Sequence, residues 1–210
     1  RGWKGQSVVL CYHRVMPLKK IFDNNSPTSS LITSLETFEA HMKFISSNYI
    51  IGDISELCMA NAQDPPSFKI YITFDDGYKD NLIYALPILE KYNIKATIFI
   101  TTRFIKNETW NWWQDLWNVI NNKESIKFSI NEKDVYYSLI NYKKKLKAYS
   151  HIADSIMSMP YHKQIEFMIG LDKEFHLDRH PDMFLNIDEL KELASNDLIT
   201  IGAHTHTHAS

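Results

Sequence analysis

The sequence predicts an α/β fold with a largely parallel sheet, open or closed into a barrel, and three observations carry that prediction. Short apolar runs rich in β-branched residues (VVLCY at 8–12, FKIYITF at 68–74, ATIFIT at 96–101 and LITIG at 198–202) alternate with stretches of helical apolar spacing. Strands separated by helices make βαβ units, which build parallel sheets. Each run gives way to polar residues, His13, Asp75, Thr101 and the histidines after Ala203, at the strand ends where such folds gather ligands. Residues 103–185 break the rhythm and predict an insertion, mainly helical, with a small core of its own.

With 210 residues and 44% hydrophobic content, the chain can bury a sizeable core as one domain carrying an insertion. The net charge of -2 gives no global pull toward nucleic acid or anionic lipid. No run approaches the roughly 18 apolar residues of a membrane span. The opening RGWKGQ is too polar for the apolar region of a signal peptide, and a first residue other than Met points to an upstream segment. Cys11, inside SVVLCY, and Cys58, inside a helical stretch, read as small buried hydrophobes rather than a disulfide.

The elements follow in order. Val8–Tyr12 reads as a buried strand. After a loop over 17–32, Leu35, Phe38, Met42 and Ile45 recur at helical spacing, with Thr33 and Glu36 offering a capping box. Phe68–Phe74 is the second strand. Residues 81–92 form a helix that Pro87 should kink, and Ala96–Thr101 is the third strand. Inside the insertion, WNWWQDLW at 110–117 marks a helix, and Asn131-Glu132-Lys133-Asp134 marks a hairpin turn. The helix IDELKELAS and the strand LITIG then restore the rhythm.

Asp75-Asp76-Gly77, directly after a buried strand, is chemically demanding, because a desolvated carboxylate needs donors or a cation. An Asx turn, with one Asp capping the next helix, would meet that need by structure alone. The closing HTHTH favours a metal. His204 and His208 are four apart and point the same way on a strand or on a helical turn, whereas His206 joins them only on a strand and takes a lesser role. Two imidazoles and a carboxylate are a common set for catalytic Zn²⁺; the same set also suits Fe²⁺, and Co²⁺ or Ni²⁺ could compete.

These residues resemble a known family. Thr73-Phe74-Asp75-Asp76-Gly77 is similar to the first motif of the NodB-type polysaccharide deacetylases, carbohydrate esterase family 4, and His204-Thr205-His206-Thr207-His208 to their H-[ST]-x-x-H second motif. CYHRV and MFLNIDELKELAS resemble the family too, so the likeness spans residues 7–101 and 183–210. It implies an irregular (β/α) barrel, partial at the C-terminus, with Asp75 as general base and Asp76, His204 and His208 as metal ligands. Thr205 would brace the loop beside the substrate. The implied activity is metal-dependent removal of acetyl groups from an N-acetylated sugar in a bacterial glycan or glycoconjugate. The family's base-orienting Arg, aromatic groove residue and Leu-x-His acid follow the second motif and lie outside these 210 residues. Either the chain is a fragment of a longer protein or another residue supplies the acid; His13, at the end of the first strand, is the candidate, with a structural histidine as the alternative reading. The alternatives are an amidohydrolase of non-sugar C–N bonds and a glycan-binding relic.

Among the aromatics, Trp110, Trp113 and Trp117 would share one helix face as a core stripe, leaving Trp112 to stack on a sugar ring. Lys143, Lys144, Lys145 and Lys147 read as a solvated helix face, and Arg14 as a surface ion pair or, as the sharper alternative, a group that orients a carboxylate.

Overall fold

The computed structural model describes residues 7–23, 26–59, 68–130, 133–178, 180 and 182–208. The described residues of 1–25, 29–108 and 181–208 form one compact unit, and those of 109–180, with 26–28, form a second. The first unit opens with β1 (Val8–Tyr12), β2 (Arg14–Met16), α1 (Leu18–Asp23), β3 (Ile32–Ser34), α2 (Leu35–Asn48) and α3 (Ser55–Met59). It continues through β4 (Ile70–Phe74), a π-helical turn (Asn81–Ala85), α4 (Leu86–Tyr92), β5 (Ala96–Ile100) and α5 (Thr102–Ile105). The second unit holds α6 (Trp112–Asn121), β6 (Ser125–Ile130), β7 (Lys133–Ser138), α7 (Tyr142–Met157) and α8 (Tyr161–Phe175). The chain then rejoins the first unit as α9 (Ile187–Ala194) and β8 (Ile199–Ala203).

The main sheet runs β1-β4-β5-β8 with every neighbouring pair parallel. Its register sets Tyr12 beside Phe74, Phe74 beside Ile98 and Ile98 beside Ile201. Residues 13, 75, 101 and 204 therefore leave the same edge. Among the described residues this sheet is open, with β1 and β8 at its margins, and no closed sheet is formed. Four strands are too few to close around a packed interior.

All five residues of β4 are buried, as a strand covered on both faces must be. Phe38 and Met42 of α2 and Ile88 and Leu89 of α4 pack with Ile72, Phe74 and Ile98 in one cluster. Each such side chain contributes about 1.5–3 kcal/mol through burial. β1 departs from the expectation of a buried strand: it lies at the sheet margin, and Val8, Val9 and Cys11 are exposed. The side chain of Cys58 lies outside the described residues.

Two local expectations shift. Thr33 is held in β3 opposite Val15, so Ser34 caps α2 instead, its hydroxyl accepting from the Thr37 N–H at 3.1 Å. Pro87 stands in the first turn of α4 rather than kinking one continuous helix. Proline offers no N–H to the carbonyl four residues back, and the turn before it is wound wider, the Leu86 N–H reaching Asn81 O.

In the second unit Trp113, Leu116, Trp117 and Ile120 are buried. Trp110 precedes α6, whose N-cap is Asn111, so it stands outside the expected helical stripe, and its indole N–H donates to Asp172 at 3.3 Å. β6 and β7 pair antiparallel, while Asn131 and Glu132 of the expected turn lie outside the described residues. Lys143, Lys144 and Lys147 are exposed on α7, and Lys145 is half-buried, its ammonium donating to Asn121 O.

Candidate metal centre

The first half of the site is the turn after β4. The Asp75 N–H donates to Tyr12 O at 3.0 Å, extending the β1–β4 ladder by one residue. The chain then turns through left-handed backbone at Asp76 (φ 74°) and Gly77 (φ 78°). A Cβ on Gly77 would meet Ile100 Cγ2 at 3.1 Å and Ile105 Cδ1 at 3.3 Å, so strain and space both favour glycine there. Gly77 O accepts from Leu185 N at 3.0 Å and Lys79 N donates to Met183 O at 2.9 Å, tying the turn to the segment before α9.

The second half is the loop after β8. The His204 N–H donates to Ile100 O at 2.8 Å, and the Thr101 hydroxyl donates to His204 O at 2.9 Å. Residues 204–208 continue as neither strand nor helix: Thr205 (φ 64°) and His208 (φ 54°) are both left-handed. The Thr205 hydroxyl accepts from the His208 N–H at 3.0 Å, closing a tight turn that returns the second ring toward the first. His206 leaves the cluster, its Nδ1 2.6 Å from the Thr102 hydroxyl and its carbonyl accepting from the Arg103 N–H.

Between these halves, Asp76, His204 and His208 come together. Oδ1 of Asp76 lies 3.4 Å from Nε2 of His204 and 3.1 Å from Nε2 of His208. One ligand atom from each of the three falls within 4.8 Å of the other two. Ligands held about 2.1 Å from a tetrahedral ion stand roughly 3.4 Å apart. The Asp76 carboxylate is 3% exposed, yet its Oδ1 makes no hydrogen bond; the imidazoles are about one-third exposed. A closed floor and an open roof fit an ion that keeps a position for water and substrate. Left-handed backbone at three non-glycine positions stores strain of the kind that gathers at functional sites. Phe104 stacks on Phe184 at 4.2 Å and backs the His208 ring at 5.9 Å. Burial works to lower the His208 pKa, but the carboxylates of Asp76 and Asp75 outweigh it and raise it above the ordinary imidazole value.

The other predicted residues fall as follows. Asp75 is half-buried outside the three-atom cluster, and its Oδ2 accepts from the Cys11 thiol at 3.3 Å. Burial and then Asp75 push that thiol's pKa up to about 11. Cys11 is thus a polar neighbour of the carboxylate pair rather than a buried hydrophobe. His13 sits at the same sheet edge between β1 and β2, half-buried, and among the described residues no hydrogen bond joins it to Asp75 or Asp76. Trp112 is half-buried in the second unit, edge-on to Trp113 with centroids 5.7 Å apart.

The partner of Arg14 and the burial of their pair escape a reading of the sequence. Arg14 Nε donates to Asp80 Oδ2 at 2.7 Å, the Val15 N–H donates to Asp80 Oδ1 at 3.1 Å, and the guanidinium lies 4.7 Å from the Tyr78 ring centroid. This is a buried ion pair, not a surface one. It ties β2 to the helix entered after Gly77, just behind the turn that carries Asp76. A cation two residues past a strand end and an anion three residues past a Gly turn were the available signal.

Residues 62–210 match the polysaccharide deacetylase family. YxkH of Bacillus subtilis (strain 168), named for the same activity, is 40% identical over 100 residues, which is 46% of this chain and 32% of that protein. The chain therefore spans about a third of that curated relative's length. Among solved structures, Streptococcus pyogenes deacetylase PplD in complex with acetate is 27% identical with a TM-score of 0.38, over 47% of this chain and 43% of its own. A de-N-acetylase from Aggregatibacter actinomycetemcomitans is 16% identical with a TM-score of 0.45, over 94% of this chain and 54% of its own. The family match covers more than half of the chain and contains all three clustered side chains, and the chain belongs to the polysaccharide deacetylase family.

Proposed function

We propose that this chain carries the metal site and general base of a hydrolase that removes N-acetyl groups from an N-acetylated sugar in a bacterial glycan or glycoconjugate. The observation behind it is the buried Asp76 Oδ1, which has no hydrogen-bond partner and faces two imidazole nitrogens. In this reading Asp76, His204 and His208 hold a divalent cation, Zn²⁺ by the O,N,N donor set, with Co²⁺, Ni²⁺ or Fe²⁺ able to compete. When bound, such an ion polarises the acetamide carbonyl and acidifies a water molecule.

The protein's own groups do the rest. Cys11 occupies Oδ2 of Asp75, which leaves Oδ1 to take the proton from the attacking water. The water oxygen bonds to the acetyl carbon, the C–N bond breaks, and the nitrogen leaves with a proton from His13, giving acetate and a free amine. Thr205 holds His208 in place through its hydroxyl. Trp112, in the second unit, is read as an indole face on which a sugar ring stacks. The parallel strands are read as one arc of the family's irregular (β/α) barrel.

The test is acetate release from N-acetylglucosamine oligomers by the Zn²⁺-loaded chain. Acetate production that Asp75→Asn lowers about 10²-fold or more supports the reading. Metal binding without acetate release points instead to a non-sugar C–N bond, and absence of both removes the enzymatic reading.

A further inference from the structure

Within the first unit, Tyr78, Phe184, Phe104 and His208 stand in one column of rings, and local structure places each of them. Leu185 donates its N–H to Gly77 O at 3.0 Å, and Lys79 donates to Met183 O at 2.9 Å. Tyr78 and Phe184 therefore oppose each other as a non-hydrogen-bonded antiparallel pair, the arrangement that brings facing side chains closest. Their rings stack with centroids 4.8 Å apart and planes at 23°. Phe184 also stacks on Phe104 of α5, at 4.2 Å and 11°. The His208 ring comes next, 5.9 Å from Phe104 and tilted by 34°.

The column joins the two halves of the metal centre. Tyr78 leaves the turn that carries Asp76, two residues after it. At the other end α5 is bonded to the histidine loop, Arg103 donating its N–H to His206 O at 3.1 Å and Thr102 to Thr205 O at 3.5 Å. Phe184 belongs to neither half and stacks against a ring from each. All three hydrocarbon rings are buried. Arg14 closes the far end: its guanidinium lies 4.7 Å from the Tyr78 centroid and donates to Asp80 at 2.7 Å.

An imidazole ligand needs more than a fixed backbone. The Thr205 hydroxyl holds the His208 N–H, but the direction of Nε2 is set by the side-chain torsions of His208. Groups that orient a metal ligand commonly do so through a hydrogen bond. A flat buried face does it sterically, by excluding the ring rotations that would enter its volume and favouring those in ring contact. Nε2 of His208 then stays 3.1 Å from Oδ1 of Asp76. Close-packed rings transmit position, because a packed interior resists compression.

We propose that Phe184 is a positioning residue for the metal centre: as the middle ring it sets the spacing between the Asp76 turn and α5, and through Phe104 the direction of the His208 ring. This role rests on the reading of Asp76 and His208 as metal ligands; the packing of the column does not.

The experiment is Zn²⁺ affinity of the full chain, by competition against a chromophoric chelator at a temperature where every variant is folded. Phe184→Leu removes the flat ring and should weaken binding about three- to tenfold, the value of one aromatic contact. Tyr78→Phe keeps its ring in the column and should bind as wild type, whereas Tyr78→Leu should weaken like Phe184→Leu. Leu89→Ala truncates a buried side chain of α4 outside the column and should lose stability without losing affinity. If Phe184→Leu fails to fold, Phe184→Met, closer in volume and without a ring, takes its place. A loss smaller than about threefold, or an equal loss in Leu89→Ala, overturns the positioning role. Zn²⁺ bound equally by wild type and Phe184→Leu sinks the column alone, and a wild-type chain that binds no Zn²⁺ sinks the metal reading and the column with it.

Discussion

Nε2 of His208 lies 3.1 Å from Oδ1 of Asp76, a buried oxygen without a hydrogen-bond partner. Such a carboxylate calls for positive charge, and a divalent cation between the two groups provides it. Metal that binds only the folded chain stabilises it by mass action, by about 2.7 kcal/mol at a hundredfold excess over Kd. Zn²⁺ should therefore raise the thermal midpoint of the wild-type chain and leave that of His204→Ala unmoved. Equal shifts in both would place the stabilising ion elsewhere.

The Thr205 hydroxyl accepts from the His208 N–H and holds a residue whose φ is 54°. Groups that orient a metal ligand typically change metal affinity by about 10–100-fold when removed. Thr205→Ala should weaken Zn²⁺ binding by that factor, whereas Thr205→Ser keeps the acceptor and should bind nearly as wild type. Competition against a chromophoric chelator reads both.

Cys11 is exposed, yet its thiol is pushed up to about 11 by burial of the sulfur's surroundings and by Asp75. A group whose pKa is raised stays neutral below that value, so the reactive thiolate grows about tenfold per pH unit until about 11. Iodoacetamide should label Cys11 at pH 8 about 100-fold more slowly than a thiol titrating near 9. Asp75→Asn removes both a hydrogen-bond acceptor and a negative charge and should speed labelling. Unchanged rates would show that the Cys11–Asp75 contact does not persist in solution.

The buried Arg14–Asp80 pair suits a double-mutant cycle. Burial raises the Asp80 pKa despite the opposing pull of Arg14, so the carboxylate depends on that partner to stay charged. Asp80→Ala leaves a guanidinium only 14% exposed without its counter-ion, which should cost about 3–5 kcal/mol in urea unfolding. Replacing both residues with apolar ones should recover most of that loss. A single-mutant loss below about 1 kcal/mol would mean that the pair is solvated.

Much of this site is legible in the chain because it depends on strand ends and spacing. A buried strand must stop somewhere, and Asp75 and His204 stand where β4 and β8 stop. The separation of four between His204 and His208 works on a strand or a helix, and it still works on the left-handed turn found here. What stays hidden depends on partners distant in sequence. Whether β1 is buried is set by what covers its outer edge, so Cys11 could not be placed from its apolar neighbours. Thr33 looks as good a cap as Ser34 until β3 claims it for a ladder with Val15. The Arg14–Asp80 pair links positions 66 residues apart, and no local pattern announces it.

The central claim is that Asp76 is a ligand and Asp75 a base, and zinc titration calorimetry of the metal-stripped chain separates the two most directly. One ion per chain should bind to the wild type and to Asp75→Asn, and none to Asp76→Ala. Full binding by Asp76→Ala, or its loss in Asp75→Asn, would contradict the assignment.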